Sequence, residues 1–174
     1  MTVLPPEIRD HRMILRQWTG DDFAFYADYL ADEATARFHG GTLAKQQAWR
    51  HLASVIGHWT LRRFGVYAAA ERAPEALVGC VGLWQPYGWP CREFVYWFTR
   101  EAYESGGALS AVRLAIEQVK AAFPGEPVTG FIHPENTRAL SLARSMGATV
   151  KGEVALLEFG RHVEVSFHEG LSLC

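Results

Sequence analysis

The sequence predicts an α+β domain in which helices cover both faces of a mixed sheet, giving three layers. Three observations predict this fold class. Short strands joined by turns fill the middle of the chain, strand–helix units follow them, and no repeat, low-complexity stretch or linker interrupts the order. The length of 174 residues suits one domain, which we expect to span residues 1–174.

The first part of the chain predicts one strand and two helices. Partial alternation of apolar and polar side chains indicates a strand over residues 11–18. Thr19 is placed to cap a first helix, because an acid follows three residues later. Thr42 is placed to cap a second helix. The apolar face expected for this second helix consists of Trp49, Leu52, Ile56 and Trp59.

The middle of the chain predicts three strands. Residues 64–71 and 76–85 flank a hairpin-type turn at residues 72–75. A segment with two prolines and a glycine, residues 86–90, then interrupts the chain. The aromatic-rich stretch Glu93–Phe98 follows, and its composition is typical of a strand.

The hydrophobic period changes after this strand, which indicates a long helix. Its apolar stripe consists of Leu109, Val112, Ile116, Val119 and Phe123, and Pro124-Gly125 ends it. The remaining expected elements are a strand at 128–132, a helix at 135–146 capped by Gly147, and strands at 150–159 and 162–168 joined by a turn at Gly160-Arg161.

Composition excludes several functional classes. The chain is 49% hydrophobic and 21% charged, as in ordinary globular domains. Its net charge of -2 provides no basic face for general nucleic-acid binding, and no apolar window is long enough to cross a membrane. Cys80, Cys91 and Cys174 cannot all pair and match no metal-site spacing. With no apolar signal core at the start, we expect a cytoplasmic protein without a metal.

The segment between the strand Glu93–Phe98 and the long helix carries the clearest chemical signal. We expect a loop containing Gly106 and Gly107 at the start of the helix. Backbone N–H groups of such a loop converge on an anion, and the helix dipole adds partial positive charge. The competing interpretation is a plain turn before a helix.

The end of this segment is similar to a motif of a known family. It reads Tyr103-Glu104-Ser105-Gly106-Gly107-Ala108, which resembles the pyrophosphate-binding motif Gln/Arg-x-x-Gly-x-Gly/Ala of the GNAT N-acetyltransferases. The stretch His133-Pro134-Glu135-Asn136, with Gly147 after it, resembles the RimJ/RimL-like ribosomal-protein acetyltransferase branch. Further similar stretches, in the expected order, are Met13-Ile14-Leu15-Arg16-Gln17-Trp18, Asp21-Asp22-Phe23, Gly79-Cys80-Val81-Gly82-Leu83-Trp84 and Glu93-Phe94-Val95-Tyr96-Trp97.

The resemblance implies a GNAT fold whose mixed, mostly antiparallel sheet is splayed between its fourth and fifth strands, here Glu93–Phe98 and residues 128–132. Acetyl-CoA would be held in the opening. The implied cofactor contacts are backbone groups of Phe98, Thr99 and Arg100, a pyrophosphate cradle of Ser105, Gly106, Gly107, Ala108, Leu109 and Ser110, and the side chains of Asn136 and Arg144.

The chain departs from the family pattern at several of these positions. In the loop motif, Tyr103 replaces the first Gln or Arg, and Glu104 and Ser105 occupy positions that are usually Gly or basic. In the later helix, Ala139 stands where the family often has Ser, and Ser145 where it often has Lys or Arg. Ala143 stands where many members have the Tyr that protonates the departing thiolate. These departures leave a second hypothesis open, a catalytically weak or inactive GNAT-fold protein that binds CoA or another ligand.

Acetyl transfer needs a neutral amine, a polarised carbonyl and close contact between the two. The expected base is Glu93, which resembles the strand-four acid of the branch, and Ser141 is an alternative proton donor. Phe38, Trp84, Trp89 and Trp97 are expected to line or edge the acceptor pocket. His39 and His133 are expected to bind the substrate there, and either could also act as a catalytic group. For each of these, a purely structural role is the competing interpretation. The expected partner is a small-molecule or peptide amine, and a homodimer stays open.

Overall fold

The computed structural model describes residues 4–167 of the chain. The strands are β1 Glu7–Arg9, β2 Met13–Arg16, β3 Val66–Arg72, β4 Glu75–Trp84, β5 Glu93–Phe98, β6 Thr129–Ile132, β7 Thr149–Ala155 and β8 Arg161–Ser166. The helices are α1 Phe23–Ala31, α2 Glu33–Ala36, α3 Lys45–Arg62, α4 Arg100–Ser105, α5 Gly107–Ala122 and α6 Thr137–Ser145. None of these helices has the length and apolar character needed to cross a bilayer.

The eight strands form one sheet in the order β1-β2-β3-β4-β5-β6-β8-β7. Every neighbouring pair is antiparallel except β5 and β6, which run parallel and share a single register pair, Glu93 with Thr129. The strands are still close one step further on, because a Cβ at Gly130 would lie 2.9 Å from the carbonyl oxygen of Phe94. They diverge beyond that point. The predicted α+β fold with a mixed, splayed sheet is therefore confirmed.

The side chains of β5 alternate between the two helical layers. Phe94 and Phe98 pack into a core cluster with residues of α5 and α6, whereas Trp97 packs into a second cluster with residues of α1 and α3. Because β5 borders the splay, the helical layers on both faces of the sheet lie next to the opening along the length of β5. This alternation fixes which side chains of β5 face each side of the cleft.

The buried face of α3 differs from the predicted face. The helix begins after Ala44, whose N–H donates to the side-chain oxygen of Gln47 at 2.9 Å, so Thr42 is not the cap. Leu52 and Trp59 are buried as predicted, but Trp49 is 52% exposed and Ile56 is 36% exposed. Their places on the buried face are taken by residues one position earlier, Ala48 and Val55. Two overlapping apolar stripes occur on this helix, and hydrophobicity alone does not choose between them.

The segment predicted as a loop before α5 is mostly helical. Thr99 caps α4 by accepting from the N–H of Ala102 at 3.3 Å, and Gly106, with φ of 80°, joins α4 to α5. Strong helix formers between Arg100 and Glu104 explain the extra turn, since these two side chains also form an i,i+4 ion pair at 2.7 Å.

Several smaller predictions also need correction. The strand expected at 150–159 ends at Ala155, and a 3₁₀ turn, Leu157–Phe159, follows it. Thr19 does lie at a helical N-terminus, and its N–H donates to Asp22 at 2.8 Å, but a 3₁₀ turn precedes α1. The short elements β1 and α2 were not predicted. His168 and Cys174 lie outside the described residues.

Cys80 is buried on β4, and its thiol is free. Burial raises the pKa of the Cys80 thiol, so this thiol stays protonated and unreactive.

Candidate active site

A cleft opens where β5 and β6 diverge. We call it the main cleft; its volume is about 1090 Å³, which includes space open to solvent. Side chains from β4, β5, β6, α1 and α3 line it, and aromatic rings predominate among them. Glu93 is the one carboxylate among its described lining residues. A mostly apolar cleft with a few polar groups is the usual form of a small-molecule site.

Glu93 lies at the first position of β5, where the splay begins. It pairs with Trp84 of β4 on one side and with Thr129 of β6 on the other, and it is only 6% exposed. Burial raises the pKa of Glu93 to about 8, although hydrogen bonds from the Trp89 side chain and the Phe131 backbone oppose the rise. A carboxyl group with this pKa can both accept and release a proton near neutral pH.

Trp89 holds Glu93 from the loop between β4 and β5. Its indole N–H donates to Glu93 Oε2 at 2.8 Å, and its own backbone N–H donates to the carbonyl of Pro86 at 3.1 Å. The indole also meets Phe159, from the segment between β7 and β8, in an edge-to-face contact with centroids 5.7 Å apart. One side chain thus links the carboxylate to both loops at this end of the cleft.

The predicted acceptor residues all line the main cleft, but they differ in burial. Trp84 is half-buried and stacks on His58 with centroids 4.7 Å apart. Trp97 is 8% exposed and stacks on Tyr29 at 3.7 Å, so most of its surface is used in core packing. Trp84 therefore presents more of its surface to a ligand than Trp97 does.

The opposite lip of the cleft is formed by rings from the chain after α2 and from the end of β6. Phe38 and His133 have centroids 5.4 Å apart, and the ring of His133 meets His162 of β8 edge-on at 5.8 Å. His133 Nδ1 accepts from the N–H of Glu135 at 3.2 Å, which leaves Nε2 to carry the hydrogen in the neutral ring. His39 is exposed at the same lip.

Sequence reasoning missed several cleft residues, namely Tyr26, His51, Phe159 and His162. The Tyr26 hydroxyl lies 2.8 Å from His51 Nδ1, which joins α1 to α3 inside the cleft wall. No local motif marks these residues, because they meet only after the helices pack on the sheet. Among residues 4–167, no group of three or more His, Cys, Asp or Glu side chains could hold a metal ion.

Comparison with known proteins identifies this architecture. The family model described as the acetyltransferase (GNAT) domain matches residues 12–149. The chain belongs to the GNAT acetyltransferase family.

Solved GNAT structures share the fold at low sequence identity. An acetyltransferase from Agrobacterium tumefaciens is 18% identical with a TM-score of 0.75, covering 95% of each chain. Ribosomal-protein-S5-alanine acetyltransferase from Vibrio fischeri is 12% identical with a TM-score of 0.69, covering 92% of this chain and 94% of that chain. Spermidine N-acetyltransferase from Vibrio cholerae, solved with CoA and spermine, is 15% identical with a TM-score of 0.70, covering 90% and 95%.

The GNAT family implies an acyl-CoA cofactor, and the splay fits one. Beyond Phe94, the edge of β5 that faces β6 has no register partner, so its backbone can pair with an extended ligand. Asn136 lines the opening and accepts from the N–H of Ala139 through Oδ1 at 3.2 Å, leaving its amide N–H groups to donate elsewhere. Tyr96 closes the inner end, where its hydroxyl donates to the carbonyl of Ala139 at 2.7 Å.

Some hydrogen-bonding groups of the expected pyrophosphate cradle already have partners within the protein. The N–H of Gly107 donates to Ser105 Oγ at 3.3 Å, and Arg12 donates to the same hydroxyl at 3.1 Å. Glu104 is exposed and paired with Arg100, which holds the pKa of Glu104 below its usual range. Gly107 and Ala108 are buried. The cradle is therefore only partly available to an anion.

The structure does not bring Ser141 or Arg144 to either lip. The buried face of α6 consists of Ala139, Leu140, Leu142 and Ala143. Ser141 and Arg144 are exposed, and the carbonyl of Ser141 accepts from Ser145 Oγ at 3.0 Å. Neither side chain lines the main cleft, so their positions do not support the expected roles of Ser141 as a proton donor and Arg144 as a phosphate contact.

Proposed function

We propose that this protein is an N-acetyltransferase that moves an acetyl group from acetyl-CoA to a primary amine by direct transfer. The single observation that carries the proposal is a buried carboxyl group, Glu93, at the point where β5 and β6 separate. The acceptor is a small molecule or a peptide N-terminus. The similarity to a ribosomal-protein acetyltransferase supports a RimJ/RimL-like assignment within this proposal.

Glu93 is the proton acceptor in this mechanism. A protonated amine has no lone pair for attack, so a base must take its proton near neutral pH. Bound acetyl-CoA supplies the activated acetyl thioester. Above a pH of about 8, Glu93 is mostly a carboxylate and takes the amine proton on an oxygen of its side chain. Trp89 fixes the orientation of that carboxylate through Oε2.

The surrounding residues exclude water and orient the acceptor. Trp84, Trp89 and Phe38 present aromatic surface to the main cleft. Backbone N–H groups of β5 beyond Phe94 are placed to donate to a carbonyl oxygen in the splay. Aromatic walls would strengthen these hydrogen bonds once a bound substrate displaces water from the cleft, because less water then competes for them.

A ligand-binding protein with little or no catalytic activity is the second candidate. It is favoured by α6, which turns Ala139 and Ala143 toward the core and Ser141 toward solvent, so this helix supplies no proton donor to the leaving thiolate. Such a protein would bind CoA and release no product.

Calorimetry with acetyl-CoA, followed by product analysis with a panel of primary amines, tests the proposal. We expect binding of acetyl-CoA and formation of an acetylated amine with release of CoA. Absence of binding at millimolar acetyl-CoA would reject the enzyme. Binding without any product over the whole panel would instead establish the second candidate.

Assembly and location remain part of the proposal. The exposed apolar side chains Trp49 and Ile56 on α3 are available for a homodimer contact. Sedimentation at micromolar concentration decides between a dimer and a monomer. We expect the protein to act in the cytoplasm on an amine rather than on nucleic acid, in keeping with its net charge of -2.

A further inference from the structure

A second cleft adjoins the main cleft and carries positive charge. Its volume is about 880 Å³, which includes space open to solvent, and it shares Phe38, His39 and Asn136 with the main cleft. Its charged lining residues within residues 4–167 are Arg37, Arg138 and Glu135, so arginines outnumber acids there. The second cleft therefore adjoins the main cleft and has more basic than acidic side chains in its lining.

The helix end that the family motif assigns to phosphates already has an acidic neighbour in this chain. A Cβ at Gly107 would lie 2.8 Å from Glu71 Oε1, so that carboxylate packs against the first residue of α5. Glu71 in turn pairs with Arg12 at 3.1 Å. A carboxylate beside a helix N-terminus uses the favourable dipole itself and repels a phosphate placed next to it.

Both arginines line the second cleft. Arg37 follows α2 and its guanidinium lies 4.4 Å from the centre of the Phe38 ring. Arg138 lies in the first turn of α6. Tyr103 of α4 lines the same cleft. Neither arginine has an ion-pair partner in the part of the chain that the structure describes.

We propose that Arg37 and Arg138 form a phosphate-binding subsite for the cofactor, adding to the contacts of the loop at Ser105, which is only partly available to an anion. This inference rests on the proposed use of a CoA thioester. Guanidinium groups bind phosphate oxygens through paired, charge-assisted hydrogen bonds, which suits the diphosphate and the ribose phosphate of CoA. The pantetheine arm, which carries no phosphate, makes no use of this subsite.

Calorimetric titration of the full chain with CoA and with pantetheine tests the subsite. We expect Arg37→Ala and Arg138→Ala each to weaken CoA binding about tenfold, the scale of one charge-assisted hydrogen bond. Pantetheine affinity should stay the same in both variants, which also shows that they are folded. The matched control is Arg50→Ala, an exposed arginine on α3 outside both clefts.

Ionic strength gives an independent measurement. Added salt should weaken CoA binding to the wild type, and this dependence should be smaller for the double variant Arg37→Ala/Arg138→Ala, because fewer charged contacts remain to be screened.

The outcomes separate the subsite from the proposed function. If the wild type binds CoA and the two variants bind it equally well, the subsite is wrong and the proposed function stands. A loss of CoA affinity in Arg144→Ala but not in Arg138→Ala would equally overturn the subsite. If the wild type binds neither CoA nor pantetheine, the proposed function and the subsite both fail.

Discussion

Burial rather than a neighbouring charge sets the chemistry of Glu93. Its carboxyl group lies among aromatic side chains at the start of the splay, and desolvation is the largest cause of its raised pKa. The resemblance to the strand-four acid of the family predicts Glu93 as the base. It does not predict the bond from Trp89, because that contact depends on how residues 86–90 fold back over β5.

The first prediction concerns the hydrogen bond between Trp89 and Glu93. Trp89→Phe keeps a ring in place and removes the N–H that donates to Glu93. Because that bond favours the charged carboxylate, its loss should raise the pKa of Glu93 above about 8. Carbon-13 NMR titration of the labelled Glu93 carboxyl group measures the pKa directly.

The control for this variant is Trp49→Phe, because Trp49 is exposed on α3 and lies outside the main cleft. Its titration of Glu93 should match that of the wild type. An unchanged pKa in Trp89→Phe would show that the indole N–H has no influence on the carboxylate.

The sequence does not show which exposed arginine of α6 lines a cleft. Arg138 and Arg144 both lie on α6 and both are exposed, yet only Arg138 reaches a cleft. The sequence identifies the helix from its Asn136 cap and final Gly147. It does not say which exposed side chain points toward the splay, because that depends on how α6 is rotated against β5.

At the scale of elements, the sequence predicts β5 with its observed bounds and fails at the junction after it. Aromatic and β-branched residues in Glu93–Phe98 leave little choice of conformation. The following segment combines good helix formers with two glycines, so a loop and a short helix are both compatible with it. The structure resolves this by making α4 and turning the chain at Gly106.

The second prediction tests that junction. Gly106 has φ of 80°, a region that costs an alanine about 1 kcal/mol. A Cβ there would meet only Arg12 Nη1 at 3.7 Å, an ordinary contact. We therefore expect Gly106→Ala to lower the free energy of unfolding by about 1 kcal/mol, measured by urea denaturation.

A matched glycine on α3 should respond with the opposite sign. Gly57 lies in the helix interior and a Cβ there would meet no heavy atom within 4 Å. Gly57→Ala should raise the free energy of unfolding by about 0.5–1 kcal/mol, because alanine is the better helix former. Equal stability changes in the two variants would contradict the assigned backbone conformation at Gly106.

At the scale of the whole molecule, the order of motifs predicts more than any single motif. Stretches similar to the GNAT family occur in the expected order, and they predict a mixed sheet with an opening beside β5. The single register pair between β5 and β6 agrees with that prediction. What sequence reasoning could not supply is the set of contacts across the opening, such as Phe38 with His133, since these join segments far apart in the chain.

Net charge is a poor guide to the cofactor at this scale. The chain has a net charge of -2, yet Arg37 and Arg138 face a common cleft without acidic ion-pair partners among the described residues. A phosphate-rich ligand needs several hydrogen-bond donors and positive charges close together, and the net charge of the whole molecule does not show whether such a cluster exists.

The measurement that tests the central claim most directly is the amine-dependent release of CoA from acetyl-CoA, followed against pH with one amine. The wild-type rate should rise as the pH passes through about 8, where Glu93 becomes a carboxylate. Glu93→Gln should lower the rate by about a hundredfold and lose that rise, while Glu117→Gln, an exposed glutamate on α5, should behave as the wild type. No amine-dependent release by the wild type, or the same pH–rate profile in Glu93→Gln, would contradict the proposed mechanism.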